Sequence, residues 1–470
     1  MKRWFPVAVL AAFAQLGSAL PASALQTSLE RAMHRTTLAN GLQVIVVENR
    51  ATPIATALVA VHNGAFTQDS DEAGLAHLYE HLLFHSFHHS PSAFALEVTK
   101  LRGRYNGTTS EEVVYYYATV PSGNIEPAIA LLADLLRKAR FSNGDLNDER
   151  PVVLNELQRN ESDPENELQR RVERMLWGAV SYRKDVGGDS ASIQQISLDR
   201  LKERYTRYYV PNNAALIVTG DVAADRIFER AQHEFGEWAT APNPFADRPI
   251  PPIPARTNTA AVMVAKDMLD VTIVVALHGP SVGADPGATY AADVLFDVFN
   301  DPSAAFQRRL VDHGPFRSIA GNYLTLDHTG PIEIRGKTTP ELAQQALVAL
   351  ISELDNLDLL SGMTDDDLAI AKKRRQVGTA LSLEQAASLA PSLAFWWSAT
   401  GIDYYLTYND RMATQTPDSL RRFARTYVIA APRVIGVLGA ADIVGQLTDW
   451  LRRGAHPAPP PPPPPSAPPL

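Results

Sequence analysis

The stretch GLAHLYEHLLFHSFHH, residues 74–89, holds five of the chain's 12 histidines and one glutamate. His77 and His81 are four apart, and Glu80 falls three after His77. On a helix these three share one side, because residues three and four apart lie on adjacent turns. Two imidazoles so placed can grip one zinc ion at about 2.0–2.1 Å. A carboxylate beside them can take a proton from water activated by the metal. The order is H-x-x-E-H, the reverse of H-E-x-x-H. Leu75, Leu78, Leu82, Leu83 and Phe84 predict that most of this helix is buried. Burying two imidazoles and a carboxylate without partners costs free energy, and a metal ion removes that cost. His85, one turn further on, is within reach of the site, but like His88 and His89, which precede Pro91 where the helix should end, it reads more readily as loop decoration.

A catalytic zinc needs a third protein ligand and an open position. The candidates lie in ERPVVLNELQRNE, residues 149–161. Glu149 and Glu156 are seven apart, two helical turns, so they share a face. Spacing alone does not choose between them, and a solvated helix surface is the ordinary place for a glutamate. Pro151 sits where this helix should already be running, so it must lie in the first turn or bend the axis.

Around these motifs the chain reads as two similar halves. LKERYTRYYVPNNAALIVTGDV (201–222) has an echo in LRRFARTYVIAAPRVIGVLGAADI (420–443), each an amphipathic helix, a turn, a β-rich run and a glycine. The offset is far beyond solenoid repeat lengths. A proline-rich linker, 239–256, separates a half at 25–238 from one at 257–455. Proline stiffens the chain and withholds a backbone donor. In the first half, GLQVIVVENRATPIATALVAVHNG (41–64) predicts two strands with a turn near Asn49–Pro53. TSEEVVYYYATVP is β-branched and aromatic, hence a strand. NIEPAIALLADLLRKARF has helical periodicity, and a longer charged helix is expected over about 147–177. Strands and helices mix without βαβ alternation, which predicts α+β. Ten prolines in the tail, 456–470, predict an extended arm without helix or sheet.

Apolar residues make up 45% of the 470 residues and charged ones 20%, a globular profile. The formal net charge of -9 argues against a nucleic-acid partner. Lys2 and Arg3, the apolar run Trp4–Leu20 and Ala22-Ser23-Ala24 read as a signal peptide (1–24) cleaved after Ala24. No later run is long enough to span a bilayer. The absence of cysteine removes thiol catalysis and thiolate zinc sites. The expectation is an exported, periplasmic protein.

With GLAHLYEH and ERPVVLNE both in view, the chain resembles the M16 zinc metallopeptidases, the group of pitrilysin, insulin-degrading enzyme and the mitochondrial processing peptidase. Their pattern is G-L-A-H-x-x-E-H, then, well downstream, a glutamate within E-R-x-V-V-x-x-E; Glu156 follows His81 at the family's spacing. The likeness covers nearly all of the chain after residue 24. It implies two homologous halves, each a mainly antiparallel sheet with helices packed on it, facing each other across a cavity. It implies one zinc per chain on His77, His81 and Glu156, with Glu80 as general base and Glu149 orienting a ligand histidine. YNGTTSEEVVYYYATVP (105–121) resembles the family's N-A-x-T-S edge strand, which implies substrate contacts at Asn106, Thr108 and Thr109.

The second half departs from the pattern. Active members carry an arginine and a tyrosine within L-R-E-x-x-G-L-A-Y. Aligned on Gly314, RRLVDHGPFRSIAGNY (308–323) puts Leu310 in the arginine slot and Arg317 in the tyrosine slot; Arg309 is one place off and Tyr323 six late. The expectation is a zinc endopeptidase acting on peptides or unfolded segments, paired with a related chain that carries the Arg/Tyr pair, as a heterodimer or else a homodimer. The rival is a non-catalytic M16-like assembly or peptide-binding subunit.

Overall fold

The computed structural model describes residues 29–90, 92–178, 180, 185–355, 363–383 and 386–453. The expected signal peptide, 1–24, and the proline tail, 456–470, lie outside the described residues. The strands are β1 Met33–Thr37, β2 Gln43–Glu48, β3 Ile54–Val61, β4 Arg104–Thr109, β5 Val114–Pro121, β6 Ala214–Gly220, β7 Ala260–Ala265, β8 Val271–His278, β9 Phe316–Tyr323, β10 Pro331–Thr338 and β11 Val434–Gly439. The helices used below are α1 Leu75–Ser86, α2 Ile125–Arg137, α3 Asn143–Ser162, α4 Pro164–Trp177, α5 Leu198–Tyr208, α6 Pro286–Phe299, α7 Ala386–Ala399 and α8 Pro417–Tyr427.

Two sheet-plus-helix halves result, an α+β architecture. The first sheet has the order β1-β2-β6-β3-β5-β4 and the second β7-β11-β8-β10-β9. Without β1 the two orders correspond strand for strand. The internal repeat lands on the same feature in each: α5 feeds β6 and α8 feeds β11. β6 runs parallel to β2 and antiparallel to β3. β11 runs parallel to β7 and antiparallel to β8. The two strands read from residues 41–64 are present, but β6, from much later in the chain, lies between them.

Both faces of each sheet are covered, which is why β2, β3 and β6 read as nearly unbroken apolar runs. On one face of the first sheet Val44, Val46, Ala57 and Val59 pack against that half's own helices, α1 and α2 among them. On the other, Ile45, Leu58, Ala60 and Ile217 meet Leu389, Ala390, Leu393 and Ala394 of α7, which comes from the second half. The exchange is mutual. Leu168, Val172 and Leu176 of α4, from the first half, cover Val262, Val264, Val274 and Leu438 of the second sheet. Each such buried side chain contributes about 1.5–3 kcal/mol. The packing thus crosses the linker in both directions.

The charged helix expected over 147–177 is two helices. α3 starts earlier, at Asn143, where Ser142 and Asp145 form a reciprocal capping box. It stops at Asp163, whose side chain caps Glu165 and Asn166 and is followed by Pro164, a helix-start signature. Pro151 is not in the first turn: it lies exposed in the middle of α3, which continues on both sides of it.

Candidate metal centre

α1 is wedged between the first sheet and α3. Leu75, Leu78, Tyr79, Leu82 and Leu83 are buried, which leaves His77, Glu80 and His81 on the remaining face. The two imidazole rings stand edge to face, 5.0 Å apart. α3 crosses this face and brings Glu156 to it. Nε2 of His77 lies 3.9 Å and Nε2 of His81 3.5 Å from the same oxygen, Oε2 of Glu156. Neither contact is a hydrogen bond, whose typical distance is about 2.7–3.2 Å. Both distances are close to the spacing of about 3.3 Å between tetrahedral ligands that share one zinc at about 2.0–2.1 Å. One donor atom from each residue fits within 4.8 Å of the others. Nδ1 of His77 is buried without a hydrogen-bond partner among the described residues. Two nitrogens and one oxygen converging in this way suit zinc, with a fourth position left open.

Glu149, two turns before Glu156 on α3, does not join the three. Its Oε2 lies 3.3 Å from Nδ1 of His81, so it holds the ring's far nitrogen. Burial lowers the pKa of His77; neighbouring His81 lowers it further and Glu156 opposes. Burial also acts to lower that of His81, but the hydrogen bond and charge of Glu149, then Glu80 and Glu156, outweigh it and the net shift is upward. Burial raises the carboxyl of Glu80, against the pull of Thr109 and His81.

β4 is an edge strand of the first sheet and, among the described residues, pairs only with β5. It passes directly over Glu80. A Cβ at Gly107 would sit 2.6 Å from Cγ of Glu80, so only glycine lets strand and carboxylate approach this closely. Asn106 and Gly107 both lie within β4. Asn106 is exposed on β4. Thr109 donates its hydroxyl to Oε2 of Glu80 at 2.9 Å, and the Thr108 hydroxyl is engaged with Tyr115. Of the three residues expected to meet substrate, two are turned to partners within the chain.

His85 is not decoration. It is buried, and its Nδ1 lies 3.2 Å from Oδ1 of Asp145. Nδ1 of His89 reaches the other oxygen of that carboxylate at 3.1 Å. This clamp ties the C-terminal end of α1 to the first turn of α3. The Ser142–Asp145 capping pattern could have revealed Asp145 in the sequence; its histidine partners, far back along the chain, could not be read there. In the second half the residues nearest the slots expected for the Arg/Tyr pair each have partners within the chain. Arg309 donates to Glu353, Arg317 to Asp270 at 2.6 Å, and the buried Tyr323 donates its hydroxyl to the Pro280 carbonyl at 3.0 Å.

A duplicated α+β chain with an H-x-x-E-H helix under a sheet edge has the layout of a two-domain metallopeptidase. Residues 43–188 match the family described as insulinase, peptidase family M16, and residues 195–375 match the peptidase M16 inactive domain. The chain belongs to the M16 peptidase family, as a half-size, two-domain member. It is 23% identical over 436 residues to an uncharacterized zinc protease of Streptomyces coelicolor, covering 91% of this chain and 92% of that one. Its fold is similar to the crystal structure of a protease from Helicobacter pylori, with a TM-score of 0.77 at 22% identity over 87% of this chain and 99% of the other. It is also similar to the first half of the periplasmic protease PqqL from Escherichia coli, with a TM-score of 0.71 at 18% identity over 88% and 93% of the two chains.

Proposed function

We propose that this chain is a zinc-dependent endopeptidase acting on peptides or unfolded segments. The observation that carries the reading is the convergence of His77, His81 and Glu156 on one point, with Glu80 beside it under the edge strand β4. In this reading those three residues are the zinc ligands. Bound zinc supplies the Lewis acidity that makes water nucleophilic at neutral pH. The remaining work falls to the chain. Glu80 takes the proton of the attacking water and passes it to the leaving amine. Thr109 keeps that carboxylate in place. Glu149 accepts from Nδ1–H of His81 and so leaves the Nε2 lone pair directed at the metal position. An extended peptide adds to β4 as a further strand, its backbone met by Asn106.

Glu80→Gln keeps the three ligands and removes the base. The expected result is zinc retained at one per chain, with cleavage of a quenched peptide down by about 10²-fold or more. Cleavage at the normal rate by this variant would remove Glu80 from its role.

With Arg309, Arg317 and Tyr323 all engaged elsewhere, a second, related chain supplies the Arg/Tyr pair that steadies the substrate carbonyl, most simply in a heterodimer. Strong peptidase activity from the purified, zinc-loaded chain alone would make such a partner unnecessary. The same commitments favour one alternative, a non-catalytic assembly or peptide-binding subunit. A chain that holds one zinc yet binds peptide without cleaving it, even with its partner present, would fit that alternative. The periplasm is the proposed location. Its support is the signal-like N-terminus and the likeness to a protease described as periplasmic. Among the described residues no helix is long and apolar enough to cross a membrane.

A further inference from the structure

The short tip between β4 and β5, Ser110–Val113, is gripped from three directions. Its backbone carbonyls at Ser110 and Glu111 accept from the N–H groups of Ala65 and Phe66 at 3.2 and 2.9 Å. This contact needs Gly64, since a Cβ there would lie 2.5 Å from the Ser110 oxygen. The Glu112 carbonyl accepts from the Ser398 hydroxyl on α7. The Glu112 side chain, 2% exposed, leaves its own half altogether. Its oxygens accept from the backbone N–H of Asp327 at 2.9 Å and of His328 at 3.2 Å, and lie 3.1 Å from Nδ1 of His328.

Asp327 and His328 belong to the β9–β10 connection. In the duplicated fold that connection is the counterpart of the Ser110–Val113 tip itself. Corresponding tips of the two sheets therefore meet, and a buried carboxylate is the fastener. A buried carboxylate held by several donors fixes its segment firmly, because releasing any donor leaves charge unsatisfied. The tip it fixes begins immediately after Thr109, whose hydroxyl holds Glu80.

We propose that Glu112 is a positioning residue that couples the seating of the second half to the orientation of Glu80, acting through the β4–β5 tip and Thr109. This rests on Glu80 being the base. It gives the second half, which has no metal motif of its own, a direct bearing on the site in the first. Small displacements of a reacting group are costly even when their cause is remote.

The test uses the full, zinc-loaded chain, with its partner where activity needs one. Glu112→Ala removes the acceptor, and Glu112→Gln retains one oxygen. The expected result is zinc content unchanged and KM within about twofold, with kcat lowered about 10–100-fold in Glu112→Ala and less in Glu112→Gln. Thr109→Val should lower kcat by the same route, so the double variant Thr109→Val/Glu112→Ala should be no slower than the worse single one. Hydrogen exchange, read on the same proteins without reference to cleavage, should quicken over residues 104–113 in Glu112→Ala. Full kcat in Glu112→Ala, multiplicative effects in the double variant, or unchanged exchange over 104–113 would each overturn the coupling. An inactive wild type whose 104–113 segment still responds to Glu112→Ala would instead count against the endopeptidase reading and leave the coupling between the halves supported.

Discussion

At the scale of single residues, the centre is defined as much by what is kept from the metal position as by what reaches it. His77, His81 and His85 recur every four residues along α1, and sequence spacing makes them alike. Asp145 separates them by holding His85. On the proposed ligand set, replacing Glu156 with Gln should abolish tight zinc binding, while His85→Ala should leave one zinc per chain, both measured by metal analysis after dialysis. His85→Ala strands a buried carboxylate from one of its partners, so it should lower stability by about 1–3 kcal/mol, read as a fall in Tm. Loss of zinc from His85→Ala at normal stability would make His85 a ligand. His77, Glu80 and His81 were legible because three- and four-residue spacing on a helix is a local property. The Thr109 contact with Glu80 was not, because nothing in residues 105–121 says what lies beneath the strand.

At the scale of elements, α4 shows the cost of placing a first-half helix on a second-half sheet. Its Glu173 is held at the seam by Gln169 at 2.8 Å. Burial raises its carboxyl from 4.5 to about 7, against the opposing hydrogen bond of Gln169, with Asp185, Glu111 and Glu333 adding to the rise. In the unfolded chain this group ionises near 4.5 and in the folded one near 7, so the folded state binds the extra proton between those values. Stability is then lost progressively as pH rises through that window, and the full penalty stands above it. Glu173→Gln should raise Tm at pH 8 and leave it nearly unchanged at pH 4.5, by calorimetry at both pH values. An equal gain at both would show that the carboxyl titrates normally. The break between α3 and α4 belongs to this scale too. Asp163-Pro164 is a readable start signal, yet charged periodicity on either side of it concealed the stop.

At the scale of the whole molecule, each sheet is finished by a helix from the other half. The proline-rich stretch marks a division along the chain that the core does not respect. A fragment covering 257–455 would leave Val262, Val264, Val274 and Leu438 without α4. It should aggregate or remain poorly folded when made alone, and become soluble when made together with 25–238, as followed by size-exclusion chromatography and circular dichroism. A monomeric, cooperatively folding 257–455 fragment would show that the exchanged helices are dispensable.

The chain's own letters determined the local chemistry: a helix with two imidazoles and a carboxylate on one side, a paired glutamate motif, strands apolar enough to be covered on both faces, and two halves built alike. These depend on spacings of a few residues, or on whole segments that echo one another. The tertiary structure alone decided that β6 lies between β2 and β3, that α4 and α7 change places, that Asp145 claims His85, and that Glu112 reaches across to His328. Each of these joins groups far apart along the chain, and such contacts are selected by burial and by satisfying charge in three dimensions, which leaves no periodic trace in the sequence.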